Sequence, residues 1–214
     1  MAFLCTFDGP KGVGKSTVIG EVAARLHRAG WTVSVQVEKE VLHALCGASL
    51  TEAHARFREN PSLTSEKELA SRYMFARVAA SAGPLANNPA QIILLDRWYP
   101  SDAVFRTHID SAEVIKANLH AGVRRPDLAI AVTCAPAISW RRAHQRARRL
   151  DSQVISSLAD HEVSTIRFEA AAEIHGWCFL RTDSTSPAAL GETVERLIDD
   201  ELVLIGELLS SRTA

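Results

Sequence analysis

A glycine-rich stretch near the amino terminus constrains the fold and chemistry of this chain more than any other feature. Residues 9–16 read Gly-Pro-Lys-Gly-Val-Gly-Lys-Ser, with two glycines separated by four residues and then lysine and a hydroxyl residue. Glycines let successive backbone N–H groups turn toward phosphate oxygens, which a Cβ would obstruct. Lys15 can place a positive charge beside the β- and γ-phosphates, and the Ser16 hydroxyl can ligate the Mg²⁺ that accompanies a nucleotide. The pattern predicts a nucleoside-triphosphate site formed by Gly9, Gly12, Val13, Gly14, Lys15, Ser16 and Thr17.

The residues on either side of this loop are those that the motif requires. The apolar run at 2–7 indicates a buried strand, and the loop follows it directly. Beyond the loop, apolar residues recur on one helical face as far as Gly30, which indicates a helix that begins at about Lys15. The succession of strand, loop and helix favours a phosphate site over a glycine-rich turn that binds nothing.

Strand and helix patterns alternate along the rest of the chain. Further strands are predicted at 31–37, 91–96, 127–133 and 176–181, and a helix capped by Ser65 is predicted to run to about Ala82. The alternation predicts an α/β fold with three layers, in which helices cover both faces of a five-stranded parallel sheet within a single domain, 1–214. Ligands bind at the carboxyl ends of such strands, where this chain carries Asp8, Glu38, Asp96, Thr133 and Asp183.

Composition and charge favour a soluble globular protein and argue against several classes of partner. Hydrophobic residues make up 47% of the chain and charged residues 23%, which is typical of soluble globular proteins. The formal net charge of −1 argues against non-specific binding to nucleic acids. The cysteines lack CxxC spacing, and most lie in apolar runs, as expected of reduced core thiols. With no apolar run near ~20 residues and no room for a leader before the first strand, we expect a cytoplasmic protein without membrane spans.

An acid and an arginine follow the buried strand predicted at 91–96. Asp96 can hold Mg²⁺ and its water shell or accept a proton from an attacking oxygen. Arg97 can hold a phosphate through its planar, bidentate fork. A strand-terminal salt bridge is the alternative, but the nearby phosphate loop favours a functional pair. We therefore predict Ser16 and Asp96 as metal ligands and Arg97 at a second phosphate.

Five arginines crowd the helix predicted to begin at Pro136 and the residues just beyond it. They are Arg141, Arg142, Arg146, Arg148 and Arg149. The spacing of Arg142, Arg146 and Arg149 places them on one face. They suit a small lid, at about 141–155, that closes on triphosphate oxygens and excludes water, although a solvated helix face is the alternative. The lid interpretation makes Arg146 and Arg149 catalytic and Arg142 a nucleotide ligand.

Four segments, in order, resemble the thymidylate kinase family of nucleoside monophosphate kinases: 7–17, 96–101, 125–128 and 182–184. The resemblance spans nearly the whole chain, although only the glycine-rich loop is specific by itself. It implies a P-loop kinase fold, ATP and Mg²⁺ as cofactors, and a nucleotide as the small-molecule partner. Because family members are commonly dimers, it also implies a homodimer.

The resemblance further implies which residues hold the phosphoryl acceptor. Tyr73 would stack on the acceptor base and Arg77 would hydrogen-bond it, and their spacing independently places both on one helical face. Arg97 would bind the acceptor phosphate, and Asp183 would border the donor adenine. The other acceptor-side candidates are Asp8, Ser101 and Lys39, the last standing where the family usually has an arginine.

Two residues depart from the family pattern on the acceptor side. Lys11 occupies the third position of the loop, where family members usually carry an acid that contacts the acceptor sugar. Ala79 replaces the polar residue that the family places two positions after the arginine. A lysine cannot accept a hydrogen bond from a sugar hydroxyl, but it can pair with an additional negative charge. The departures therefore concern the choice of acceptor.

The leading hypothesis is a kinase that moves the γ-phosphate of Mg·ATP to a pyrimidine deoxynucleoside monophosphate, with dTMP first among the acceptors. Three alternatives stay open. A deoxynucleoside kinase would use Glu38, after the second strand, as the base for an unphosphorylated hydroxyl. A specialised kinase would take a modified nucleotide or another small metabolite. A regulatory module would bind nucleotide and barely turn it over.

Overall fold

Five parallel strands form the centre of the fold in the order β2-β3-β1-β4-β5. The computed structural model describes residues 1–145 and 157–211. The strands are β1 (Phe3–Asp8), β2 (Val33–Val37), β3 (Ile92–Asp96), β4 (Leu128–Thr133) and β5 (Cys178–Arg181). Because all strands run the same way, their carboxyl ends meet at one edge, where the predicted site residues converge.

Helices cover both faces of this sheet, so the predicted three-layer α/β architecture is confirmed. The helices are α1 (Lys15–Arg28), α2 (Glu38–Glu59), α3 (Leu63–Ala82), α4 (Tyr99–Phe105), α5 (Ser111–His120), α6 (Pro136–Gln145), α7 (Leu158–His175) and α8 (Pro187–Ser211). Within the described residues, none of them combines the length and apolarity needed to cross a membrane.

Side chains alternate along β1 between two separate cores. Phe3, Cys5 and Phe7 pack against α1 and α8, whereas Ala2 and Leu4 pack against α2 to α5. Successive residues of a strand point to opposite faces of a sheet, which accounts for the division. Each face of the sheet therefore packs against its own set of helices.

The start of α3 differs from the sequence prediction. Ser62, rather than Ser65, is the N-cap, because its extended backbone lets its hydroxyl accept from the N–H of Ser65 at 3.3 Å. Ser65 lies one turn into the helix, and its hydroxyl accepts from the N–H of Ser62 at 3.0 Å. The two serines form a reciprocal capping box, in which the second serine takes the place usual for Glu or Gln.

Two helices show features that the sequence patterns did not predict. The seven-residue helix α4 follows directly on Asp96-Arg97, and its N-cap Trp98 has no polar side chain to cap it. Helix α2 begins at Glu38 immediately after β2 and bends at Cys46, where the backbone leaves helical geometry. The predicted lid extends beyond α6, and its residues 146–155 lie outside the described part of the chain.

Candidate active site

The glycine loop packs against β4 and α6 so closely that side chains are excluded. Gly9 has a φ of 150°, and a Cβ there would lie 2.0 Å from the carbonyl oxygen of Val132. A Cβ on Gly12, whose φ is 84°, would lie 2.2 Å from the carbonyl oxygen of Ser139. Both distances are sterically forbidden, so the loop requires glycine for packing as well as for its backbone turns.

The loop leads into a helix terminus suited to an anion. Helix α1 has Gly14 as its N-cap, without a side-chain hydrogen bond to its first N–H groups. Such N–H groups and the helix dipole favour a bound phosphate. Lys15 is largely buried, and its Nζ donates to the carbonyls of Gly9 and Pro10 at 3.1 and 3.0 Å. The ammonium group therefore lies across the loop.

The two residues predicted to ligate a metal come together at the carboxyl end of β3. Ser16 Oγ donates to Asp96 Oδ2 at 3.3 Å. The second carboxylate oxygen, Asp96 Oδ1, is buried and has no hydrogen-bond partner among the described residues. A hydroxyl beside an under-coordinated carboxylate is a donor set that suits Mg²⁺ and its water shell.

A pocket of about 370 Å³ opens beside the loop, on the side of α6 and α8. Arg142 Nη1 donates to Thr182 Oγ1 at 3.3 Å within it, and that hydroxyl donates to the carbonyl of Val13. The lining residues are Gly12, Gly14, Thr17, Val18, Arg142, Gln145, Thr182, Thr185, Pro187 and Leu190. Its position suits the base and ribose of a nucleotide whose phosphates occupy the loop.

Asp183 borders this region, but its carboxylate is engaged by protein groups. Oδ2 accepts from the N–H of Ala135 at 3.0 Å, and Arg181 donates to both oxygens at 3.2 and 2.9 Å. The hydrogen bond from Arg181 lowers the pKa of Asp183 to about 2. Asp183 thus ties the turn after β4 to β5, and Thr182 rather than Asp183 lines the pocket.

Arg97 follows Asp96 in an unusual backbone conformation. Its φ of 73° is the one left-handed value at a non-glycine residue in the described part of the chain. Its Nη1 donates to Ser101 Oγ at 3.1 Å, and its guanidinium lies 5.2 Å from the ring centroid of Phe105. Non-glycine residues held in this region cluster at functional sites, because the surrounding structure must enforce them.

Asp8 lies beneath Arg97 and is almost fully buried. Its Oδ1 accepts from the backbone N–H groups of Trp98 and Ser101, both at 3.0 Å, and from the hydroxyl of Ser101 at 2.6 Å. Burial raises the pKa of Asp8, against the opposing effect of these hydrogen bonds. Asp8 and Ser101, both predicted at the acceptor, are therefore in contact with each other.

Arg77 is fully buried inside a network of charged side chains that the sequence patterns did not predict. It donates to Glu38 at 2.7 Å, to Asp102 at 3.0 Å and to Asn118 at 3.4 Å. Arg106 donates to the other oxygen of Asp102. The cluster balances two guanidinium groups against two carboxylates, as buried charges require.

Burial raises the pKa of Glu38 even though Arg77 opposes the effect. Burial acts in the same direction on Asp102, but Arg106 and Arg77 outweigh it and hold the pKa of Asp102 below its ordinary value. Asp102 lies on α4, and Arg106, four residues later, is the C-cap of that helix. Their pairing could have been predicted from sequence only if α4 itself had been predicted.

Tyr73 is half-buried beside this network. Its hydroxyl is 2.7 Å from Nε2 of His54 on α2, and its ring centroid lies 5.3 Å from the guanidinium of Arg77 and 5.8 Å from that of Arg106. Burial raises the pKa of Tyr73 to about 12. No sequence motif indicated that His54 would contact Tyr73.

The remaining predicted site residues are two lysines near the loop and the arginines of the predicted lid. Lys39 is exposed in the first turn of α2, and Lys11 is partly exposed in the glycine loop. Arg142 reaches the pocket beside the loop, whereas Arg146 and Arg149 lie outside the described residues.

The chain was compared with curated proteins and with protein-family models. No curated protein matches the chain at a significant level. The family model for thymidylate kinase matches residues 7–191, which include the glycine loop, Asp96-Arg97 and α3. Since the match covers most of the sequence, this chain belongs to the thymidylate kinase family.

Proposed function

We propose that the protein transfers the γ-phosphate of Mg·ATP to a pyrimidine deoxynucleoside monophosphate, with dTMP as the first candidate. Family membership supports nucleoside monophosphate kinase activity, and the acceptor is our inference. The observation that carries it is Arg97, which lies next to Asp96 and makes one side-chain hydrogen bond, to Ser101, within the described residues. A guanidinium so placed suits a second phosphate opposite the glycine loop.

The donor-side residues suit the binding and activation of a triphosphate. Lys15 would exchange the carbonyls of Gly9 and Pro10 for phosphate oxygens. Ser16 and Asp96 would hold Mg²⁺, which neutralises charge on the phosphates when bound. These side chains fix the reactants and stabilise charge, which supply most of the catalysis in phosphoryl transfer.

The burial of Glu38 and its pairing with Arg77 favour a monophosphate acceptor over an unphosphorylated nucleoside. A deoxynucleoside kinase would need Glu38 to accept a proton from the attacking hydroxyl. Glu38 is buried, and its carboxylate accepts from Arg77 at 2.7 Å. Removing it from that pair would leave Arg77 without one of its two carboxylates, which is unfavourable in the protein interior.

A coupled assay for ADP tests the proposal. We expect ADP formation with ATP, Mg²⁺ and dTMP, no ADP above background without an acceptor, and no activity with thymidine. A panel of dCMP, dUMP and base-modified monophosphates then defines the base preference, to which Lys11 is relevant. ADP formation with thymidine alone would support the nucleoside kinase, and binding of ATP without ADP formation for any acceptor would support a regulatory module.

Further proposals about the domain, the lid, the location and the partners accompany this function. Residues 1–214 act as one domain, with Arg146 and Arg149 in a lid over the triphosphate. Asp183 adjoins the adenine without contacting it through its carboxylate. The protein is cytoplasmic, and it does not bind nucleic acids non-specifically. It forms a homodimer, which light scattering of the purified protein tests directly.

A further inference from the structure

Helix α4 begins without a cap of its own, although it carries the residues around the acceptor arginine. A side chain at the N-cap normally accepts from an N–H in the first turn, but Trp98 has no acceptor atom. Pro100 has no N–H to satisfy, and the N–H of Ser101 donates to the carbonyl of Trp98 at 3.1 Å. Asp8, at the end of the neighbouring strand β1, supplies a side-chain acceptor for the same N–H at 3.0 Å.

Phe7 and Asp8 accept hydrogen bonds from the peptide groups on either side of Arg97. The N–H of Arg97 donates to the carbonyl of Phe7 at 3.0 Å, and the N–H of the next residue, Trp98, donates to Asp8 Oδ1 at 3.0 Å. These two contacts fix the peptide groups before and after Arg97 against the end of β1. A left-handed φ at an arginine persists only under such constraint.

The side chain of Arg97 is connected to the same carboxylate. Ser101 Oγ donates to Asp8 Oδ1 at 2.6 Å and accepts from Arg97 Nη1 at 3.1 Å. The hydroxyl is therefore oriented by Asp8 and in turn orients the guanidinium. Asp8 itself is 1% exposed, so its carboxylate lies behind Arg97 and away from solvent.

From these contacts we infer that Asp8 is a positioning residue: it caps α4 from the neighbouring strand and thereby sets the backbone and side chain of Arg97 for the acceptor phosphate. The sequence had placed Asp8 among the substrate ligands. The inference rests on the proposed function, because it takes Arg97 as the ligand of the acceptor phosphate. Asp8 acts through Arg97 and does not touch the acceptor.

A double-mutant cycle tests whether Asp8 acts through Arg97. We expect Asp8→Ala to lower kcat/KM for the acceptor by roughly 10- to 100-fold, with KM for ATP changed by less than about threefold. In an Arg97→Ala background the same change should add less than about threefold, because the group that it positions is gone. Asp8→Asn keeps an oxygen acceptor and should recover most of the loss. Additive losses, or an equal effect on KM for ATP, would overturn the inference.

Asp127→Ala provides a matched control, because Asp127 precedes β4 and contacts the opposite end of β1. Asp127 Oδ2 accepts from the backbone N–H of Leu4 at 2.7 Å, so it too is a carboxylate that holds β1. Its removal should lower the melting temperature without changing KM for the acceptor. If Asp8→Ala does not fold, Ser101→Ala removes only the hydroxyl link, and we expect a loss of about two- to tenfold that disappears in the Arg97→Ala background.

A structural readout separates this inference from the proposed function. A crystal structure of Asp8→Ala, or of Ser101→Ala, reports the conformation of Arg97 whether or not the protein is a kinase. We expect Asp8→Ala to move Arg97 out of the left-handed region or to displace its guanidinium from its place above Phe105. An unchanged Arg97 would overturn the inference, whereas a wild-type protein without transfer to any monophosphate would overturn the function alone.

Discussion

Three buried oxygens of β1 and β3 lack hydrogen-bond partners in the described part of the chain: Thr6 Oγ1, Asp8 Oδ2 and Asp96 Oδ1. The last of these lies beside Ser16, where a bound cation would supply its partner. Thr6 lies two residues before the end of β1, and its side chain is fully buried. Its hydroxyl has no role in the proposed chemistry, so we expect it only to reduce stability.

Thr6→Val should therefore raise the free energy of unfolding by about 1–2 kcal/mol, because valine has the same shape and no polar group to leave unsatisfied. For a chain of this length that corresponds to a melting temperature higher by roughly 2–8 °C in thermal denaturation. Thr133→Val is the matched control, since its hydroxyl is equally buried but donates to Glu169 at 3.1 Å. If both variants were stabilised equally, the missing hydrogen bond would not be the cause.

Lys15→Ala tests the catalytic role of the loop at the same scale. We expect kcat to fall at least about 10²- to 10³-fold, because the variant loses the ammonium group that would stabilise negative charge on the transferring phosphate. The melting temperature should change little, since the carbonyls of Gly9 and Pro10, to which the ammonium donates, belong to its own loop. Steady-state kinetics at saturating ATP measure the effect, with Lys67→Ala, an exposed lysine of α3, as the control. A Lys15→Ala enzyme that kept most of its rate would contradict the loop assignment.

At the scale of elements, the alternation of strand residues separates the residues proposed for the donor from those proposed for the acceptor. Asp96 pairs in register with Phe7, whose side chain packs on the α1 side, and Ser16 of α1 meets Asp96 there. Asp8 follows Phe7 and points to the opposite side, where it meets Ser101 of α4. The order of strands and the period of two thus determine that Asp96 meets Ser16 on one side of the sheet and Asp8 meets Ser101 on the other.

This alternation also explains what the sequence could and could not predict. The glycine loop, the strands and the Asp96-Arg97 pair follow from local patterns, and they specify the sheet and its ligand-binding edge. Helix α4 does not, because its cap comes from Asp8, which lies 93 residues from Ser101 in sequence. Arg77 was correctly placed on the face of Tyr73, but its partners Glu38 and Asp102 belong to other helices, so spacing along α3 could not reveal its burial.

Arg77→Met tests the network that joins α2, α3 and α4. We expect the free energy of unfolding to fall by about 3–5 kcal/mol, because Glu38 and Asp102 would stay buried with less compensating charge. The double variant Arg77→Met/Glu38→Gln should recover part of that loss, since one uncompensated carboxylate is removed. Urea denaturation measures both changes. Arg72→Met is the control on the exposed side of α3, where an ion pair with Glu68 spans 3.9 Å. A double variant less stable than Arg77→Met would refute this account.

At the scale of the whole molecule, two histidines and two acids make opposite contributions to the pH dependence of stability. Burial lowers the pKa values of His54 and His161, assisted by Arg106 in the first case and by His144 in the second. A lowered histidine pKa stabilises the fold above the ordinary value near ~6.5, and that stability is lost as the pH falls through the lowered value. Asp8 and Glu38, whose pKa values burial raises, favour the fold as the pH falls toward their range and so partly offset the histidines.

His161→Gln isolates one histidine from this balance. His161 is fully buried, with Nε2 against Ser139 Oγ, and the charged group acting on it is His144 of α6. Because the unfolded chain binds a proton there more readily, we expect wild-type stability to fall more steeply than that of the variant, by up to about 1.4 kcal/mol per pH unit, as the pH falls below about 6.5. Urea denaturation at each pH gives the difference, and His120→Gln, at an exposed position, should keep the wild-type dependence. Parallel curves for His161→Gln and wild type would mean that the buried imidazole does not couple folding to pH.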